Sequence, residues 1–249
     1  MTSLLSFLNV SKRYPDGDRE ILVLDRVCMD IDAGASVGVY GPRRSGKSTL
    51  LRLAAGIALP DSGAVSFQGR DIARMAAGER GRLLRREIAF MSSGDWRAAA
   101  GESVLDHVAT SLGSEGLTMR QARHRATGVL DRVGIGLAGA AEPAASLSLT
   151  DRAHVMLARA LAREPRVLVL DEPALLPSLG DRDRFFALLR SSAREREIAL
   201  LMASEEMSAL QGVGVMMSIG DGELISTETR GTVVQLPGRR RAGAERSGR

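Results

Sequence analysis

Nine consecutive residues, Gly41-Pro42-Arg43-Arg44-Ser45-Gly46-Lys47-Ser48-Thr49, constrain this chain more than any other stretch. They fit the pattern G-x-x-x-x-G-K-[ST], which has meaning only between a strand and a helix. Both flanks comply. Ala35 to Tyr40 is a short apolar run with β-branched residues, suited to a buried strand, and Leu50, Leu51, Leu53 and Ala54 keep helical spacing as far as Gly56, a candidate C-cap. Strand, glycine loop and helix together form an anion site, because the glycines let backbone N–H groups close on phosphates and the helix N-terminus adds partial positive charge. Lys47 is then expected to reach the β- and γ-phosphates of a nucleoside triphosphate, and the Ser48 hydroxyl to bind Mg²⁺. Of 34 basic residues only Lys12 and Lys47 are lysine. A chain so biased towards arginine has kept a compact ammonium at the one position where a planar guanidinium has the wrong shape.

The 249 residues suffice for one α/β domain or a domain with a subdomain, and a hydrophobic fraction of 44% with 26% charged residues is that of a soluble globular protein. No apolar run approaches the ~18 residues of a membrane span, and no signal peptide is visible. Cys28 is the only cysteine, so no internal disulfide forms and a reducing, cytoplasmic setting fits. Its apolar-alternating neighbourhood places it in the core. The net charge of +4 is partly local. Residues 237–249 are rich in Gly, Ala and Arg without apolar periodicity and read as a disordered basic tail, a solvated end or one that touches anionic lipid or nucleic acid.

Along the chain, Leu4–Val10 and Ile21–Ile31 read as strands joined by a turn at Pro15-Asp16-Gly17-Asp18. Ala64–Gln68 is a further short strand, Arg74–Arg86 a helix and Glu87–Ser92 a strand. Ser103 to Leu161 is mostly helical, with Thr118 as a cap for a helix to Val133. Arg166 to Leu170 is an apolar strand that ends in Asp171 and Glu172, and Ile198–Met202 and Val213–Ser218 supply later strands. Alternating strands and helices around the loop imply an α/β fold with a mainly parallel, helix-covered sheet. Acids at a strand's carboxyl end sit where such sheets bind ligands. Asp171 is assigned to Mg²⁺, directly or through water, and Glu172 to polarising the attacking water.

With these residues in place, the sequence over roughly residues 4 to 230 resembles the nucleotide-binding subunit of an ATP-binding cassette (ABC) transporter. Tyr14 in Ser11-Lys12-Arg13-Tyr14 is similar to the family's aromatic that stacks on adenine. Leu147-Ser148 with Val155 to Leu161 resembles the signature loop and its helix, and Gly220 to Leu224 the closing hairpin. Arg70-Asp71-Ile72, Leu84 to Phe90 and Ala126 to Gly134 resemble the lipoprotein-releasing, macrolide-efflux and cell-division branch. The resemblance implies a P-loop NTPase (RecA-like) core with an antiparallel β subdomain over 1–92 and 166–236, and an inserted helical subdomain over 93–165. It also implies ATP and Mg²⁺ as cofactors, a second ABC ATPase subunit as dimer partner, a transmembrane permease, and a place on the inner face of the cell membrane. No specific nucleic-acid binding is expected. Across the dimer, Ser148 would face the partner's γ-phosphate, and a permease helix would dock beside Ser93 to Arg97, where Trp96 is the candidate contact.

Several positions depart from the family pattern. The signature Leu-Ser-Gly-Gly-Gln is here Leu147-Ser148-Leu149-Thr150-Asp151, which puts side chains and a negative charge where backbone should approach phosphate. Ser93 stands for the loop glutamine, Ser178 for the loop aspartate and Ser204 for the switch histidine. Elements that bind nucleotide persist, while most of those that sense the γ-phosphate or act across a dimer do not, although Ser148 is retained and could still donate a hydrogen bond. Two readings stay open: a transport ATPase with slow hydrolysis, and an ATP-binding clamp in a heterodimer with a more regular subunit. A soluble ABC protein acting on ribosomes or DNA would usually carry two cassettes or a coiled-coil insertion. A small-molecule kinase would lack the helix at Val155–Leu161. The histidines share no metal spacing; His124 and His154 are read as surface residues, His107 as part of a helix face, and the Met207, Met216 and Met217 region as core.

Overall fold

The computed structural model describes residues 3–92, 94, 96–173, 176 and 178–227. Ser93 and the tail at 237–249 lie outside the described residues. Strands β1 (Leu5–Asp16) and β2 (Arg19–Ile31) form a long hairpin, then come β3 (Ser36–Tyr40), α1 (Lys47–Ala54), β4 (Ser62–Phe67), β5 (Arg70–Asp71), α2 (Ala77–Arg86) and β6 (Ile88–Ser92). Helices α3 (Val104–Ala109), α4 (Met119–Arg132), α5 (Leu137–Ala141) and α6 (Leu149–Ala162) follow. The chain returns through β7 (Val167–Asp171), α7 (Leu179–Glu195), β8 (Ala199–Ser204), β9 (Val215–Gly220) and β10 (Glu223–Thr227).

Two sheets result. An antiparallel sheet has the order β2-β1-β4-β5, and a six-stranded sheet has the order β10-β9-β3-β8-β7-β6. Within the second, β9, β3, β8, β7 and β6 are mutually parallel and β10 closes as a hairpin on β9. Its middle strands are buried on both faces, as parallel sheets require: every residue of β7 and β8 is buried. One face of that sheet shares a core with α1 and the antiparallel sheet, through Leu50, Leu53, Val169, Leu201, Phe7 and Phe67. The other face packs the helices, with Leu168, Leu170, Leu157, Leu130, Val108 and Phe185 in one cluster.

Local chemistry sets the helix starts. Thr118 and Gln121 form a reciprocal capping box on α4. Ser148-Leu149-Thr150-Asp151 and Ser178-Leu179-Gly180-Asp181 repeat one S-L-x-D cap: in each, the serine hydroxyl accepts from the aspartate N–H and starts α6 or α7. The helix expected over Arg74–Arg86 begins only at Ala77. The Asp71 side chain accepts from Ala73 N and starts a short 3₁₀ turn at Ile72–Arg74, after which Met75 and Ala76 are extended. Cys28 is not in the core. Val27 and Met29 point inward, so the pleat turns Cys28 outward, where its thiol accepts from Asn9 N at 3.2 Å. Of the three methionines, only Met217 is fully buried; Met207 is 54% exposed.

Candidate functional site

The parallel strands end along one edge, and the register says which residues meet there. Tyr40 lies opposite Ser204, Ala203 opposite Asp171, and Asp171 opposite Ser92. Loop 41–49, the Ser204-Glu205 turn and the Asp171-Glu172 pair therefore leave from neighbouring strand ends. Gly41 N donates to Ser204 O at 3.3 Å and Glu172 N to Ala203 O at 3.0 Å, which ties the three together.

The loop is closely packed. A Cβ on Gly41 would meet Ile219 O at 2.5 Å and Ser45 Oγ at 2.7 Å. Gly46 has φ of 103°, and a Cβ there would lie 2.8 Å from Val23 O. Only glycine satisfies both positions. Helix α1 begins at Lys47 with no side-chain cap and no acid in its first turn, so its leading amides stay available to an anion. Pro42, Arg43 and Arg44 are exposed, and so is Ser48, while Ser45 and Thr49 are half-buried.

Lys47 is buried and donates to Gly41 O and Pro42 O, both at 2.8 Å. An ammonium has three donors, and the remaining side faces Glu172 Oε1 at 3.7 Å and Glu205 Oε1 at 3.9 Å. Glu172 is fixed in turn. Its φ of 49° is left-handed, an unusual state for a side-chain-bearing residue, and its carboxylate accepts from Ser204 Oγ at 3.1 Å and Glu205 N at 3.0 Å. Ser204 itself is fully buried and also accepts from Glu206 N. Glu205 is the residue that sequence reasoning missed. Its Oε1 lies 3.6 Å from Arg43 Nε, so it borders two of the loop's three cations, Arg43 and Lys47. The rule that singled out Asp171-Glu172, acids just past a buried strand, applies equally to Glu205 past β8.

Among the described residues, two buried side-chain oxygens have no hydrogen-bond partner, Ser45 Oγ and Asp171 Oδ1. A carboxylate only 8% exposed and left unpaired is costly, and a hard cation fits it. Among the described residues no cluster of three or more His, Cys, Asp or Glu could hold a metal. That suits Mg²⁺, which takes one or two protein ligands together with phosphates and water. Asp171 and Ser48 are the residues available to hold it.

The remaining candidates are more dispersed. Tyr14 sits on β1 opposite Ile21 and is 36% exposed, with Lys12 Nζ 5.4 Å from its ring centre. Ile21 lies two residues before Val23, whose carbonyl abuts Gly46, so the hairpin carries the tyrosine towards the loop. Ser148 makes its hydrogen bonds within its own turn. Its hydroxyl donates to Asp151 Oδ2 at 2.7 Å. Trp96 packs partly buried against the helical core, 4.7 Å from the His107 ring, with Arg152 5.8 Å from its own.

His107 lies on the buried face of α3. Arginine can only donate, so Arg159 Nη1 at 3.0 Å makes His107 Nε2 the acceptor, and Nδ1–H donates to Glu102 at 2.9 Å. The imidazole is thus held neutral. Burial pushes its pKa down and the Arg159 charge adds to that, against the raising effect of Glu102. Burial alone would raise Glu102, but the His107 bond and the Ala99 amide outweigh it and hold the carboxyl below its usual range. His154, read from sequence as a surface residue, is half-buried against Phe185 at 5.9 Å, and burial lowers its pKa as well. His124 is exposed.

A family model for ABC transporters matches residues 24–175. The lipoprotein-releasing system ATP-binding protein LolD of Pseudomonas syringae pv. tomato is 30% identical over 90% of this chain and 97% of its own length. LolD 2 of Caulobacter vibrioides is 30% identical over 89% of this chain and 96% of its own. The macrolide export ATP-binding/permease protein MacB 1/2 of Paracoccus denitrificans is 28% identical over 94% of this chain, which spans 35% of that longer protein. Two solved structures share the fold: a dimeric bacterial ABC transporter cassette, with TM-score 0.84 at 23% identity, and an ATP-binding cassette in a post-hydrolysis state with ADP and Pi, with TM-score 0.82 at 22% identity. Each covers 92% of this chain and 100% of the chain compared. The parallel α/β core, the loop at its edge and relatives of this extent together make the chain a member of the ABC transporter family, an ATP-binding cassette of the LolD and MacB branch.

Proposed function

We propose that this chain is the ATP-binding subunit of a transporter complex, that it binds Mg·ATP at residues 41–49, and that it hydrolyses ATP slowly. The observation that carries the reading is Lys47, buried, held by Gly41 O and Pro42 O and 3.7 Å from Glu172 Oε1, the residue that follows Asp171 with its unpaired buried oxygen. Backbone N–H groups of residues 43–49 cradle the phosphates, Lys47 contacts the terminal pair, and Tyr14 stacks on the base. Ser48 and Asp171 would hold Mg²⁺, which would supply positive charge against the negative charge that develops on the phosphates. Glu172, held by Ser204 and the Glu205 amide, orients the attacking water. Slow turnover follows from what is missing: serine replaces the switch histidine at 204 and the loop glutamine at 93, and loss of one such positioning group costs about 10²–10³ in rate.

A second reading is favoured by one contact. Because Ser148 gives its proton to Asp151, the signature end of α6 is a poor donor to a phosphate on a neighbouring subunit. The chain would then act as a clamp whose own Lys47 site is completed by a more regular partner. For the permease, a cleft of about 180 Å³ between β6 and α6 is lined by Phe90, Met91, Met156, Arg159 and Arg163. Trp96 does not line it but packs on His107, which Arg159 of the cleft contacts, and the cleft's mix of apolar and cationic side chains suits an amphipathic helix with an acidic residue. The LolD relatives are named for a lipoprotein-releasing system, and membrane attachment on the cytoplasmic side is proposed on that analogy. No helix among the described residues is long and apolar enough to cross a membrane. Binding of Mg·ATP that is lost with Lys47→Ala tests the site.

A further inference from the structure

The Glu205 carboxylate has no task in the site as proposed, yet it lies near two of the loop's three cations, 3.6 Å from Arg43 Nε and 3.9 Å from Lys47 Nζ. Two of the three Lys47 donors are committed to Gly41 O and Pro42 O, so Glu172 and Glu205 share the third side. If Glu172 polarises the water that attacks the terminal phosphate, the space beside Glu172 is where that phosphate sits. Glu205 borders the same space, and the deeper β-phosphate lies one bridging oxygen further away.

We propose that Glu205 is a specificity-determining residue: its carboxylate competes with the terminal phosphate for Lys47 and Arg43, and so holds down the preference of this site for ATP over ADP. The inference rests on the nucleotide-site reading. A carboxylate and a γ-phosphate about 5–6 Å apart at an effective dielectric of about 20 repel by the equivalent of roughly a hundredfold in affinity. Because the Glu205 side chain is 41% exposed, solvent and salt reduce this to about tenfold. The β-phosphate is further off and feels less, so the penalty falls selectively on the triphosphate. Glu205 also carries the amide that holds Glu172, but that contact is backbone and survives substitution of the side chain.

Calorimetric titration of the full chain with Mg·ATP and with Mg·ADP separates the possibilities, using wild type, Glu205→Gln and, as a second variant, Glu205→Ala. Glu205→Gln is expected to tighten ATP about tenfold and ADP by no more than about threefold, with a smaller gap at high salt. Glu205→Ala should move the ratio in the same direction. An unchanged ATP-to-ADP ratio in both variants, or weaker ATP binding, overturns the role of Glu205 while leaving the site reading intact. A wild-type chain that binds neither nucleotide overturns the site reading itself and this inference with it.

Discussion

Asp171 offers a perturbation whose two consequences pull in opposite directions. It ends the buried strand β7 with one oxygen unpaired and only 8% of the residue exposed. Asp171→Asn keeps the shape and removes the charge. An unsatisfied buried polar group costs about 1–3 kcal/mol. Asparagine still buries an oxygen or an amide, so the relief is the charged part, about 1–2 kcal/mol. In a chain of this length that raises the melting midpoint, measured without nucleotide, by about 2–8 °C. The same change removes the proposed Mg²⁺ ligand. For wild type, Mg·ATP at about 100 times Kd adds about 2.7 kcal/mol of stability, which is visible as a further rise in the midpoint. Differential scanning fluorimetry of both proteins, with ATP in the presence of Mg²⁺ or of EDTA, reads both effects. Asp171→Asn should melt higher than wild type without nucleotide and show no Mg²⁺-dependent gain with ATP. A variant that melts lower, or one that keeps the full Mg²⁺-dependent rise, refutes the reasoning.

Two further outcomes concern pH and partner. His107, buried, and His154, half-buried, have pKa values below the ordinary 6.5, so the unfolded chain binds more protons than the native one once pH falls below that value. Stability should therefore be level above pH ~6.5 and decline below it; His107→Gln should flatten part of the slope in urea melts, and an unchanged slope would argue against the neutral-imidazole network. In pull-downs from detergent-solubilised membranes, the chain should bring down a membrane protein, and the complex should hydrolyse ATP. A purified homodimer turning over at ordinary transporter rates would contradict slow hydrolysis, and recovery of ribosomes or nucleic acid instead would contradict the transport role.

Much of the fold was legible because local and global signals agreed. The loop at 41–49 demanded β3 and α1, the acids at 171–172 marked the end of β7, and Thr118 marked the start of α4. What sequence could not supply was lateral order. Nothing in the apolar runs says that β3 lies between β8 and β9, and it is that order which brings Glu205 beside Lys47. Short-range polar competition acts at two places. Asp71 diverted the expected helix at Arg74 by capping a different turn, and Ser148, matched to a family signature, served first as an N-cap for its own helix. The S-x-x-D spacing at 148–151 was visible, but a capping role and a phosphate-sensing role call on the same hydroxyl, and only the geometry shows where the proton goes. His154 was misplaced because surrounding arginines suggest a surface, whereas its partner Phe185 comes from a helix later in the chain.

The account depends most on a triphosphate being gripped by the loop amides and one ammonium. Isothermal titration of Mg·ATP into wild type and Lys47→Ala, each first shown to be folded by circular dichroism, measures that grip. Wild type should give a saturable heat with one site per chain, and the variant should lose at least about a hundredfold in affinity, the worth of a charge-assisted contact with phosphate. Equal affinity in the two proteins, or no heat with wild type, would contradict the account.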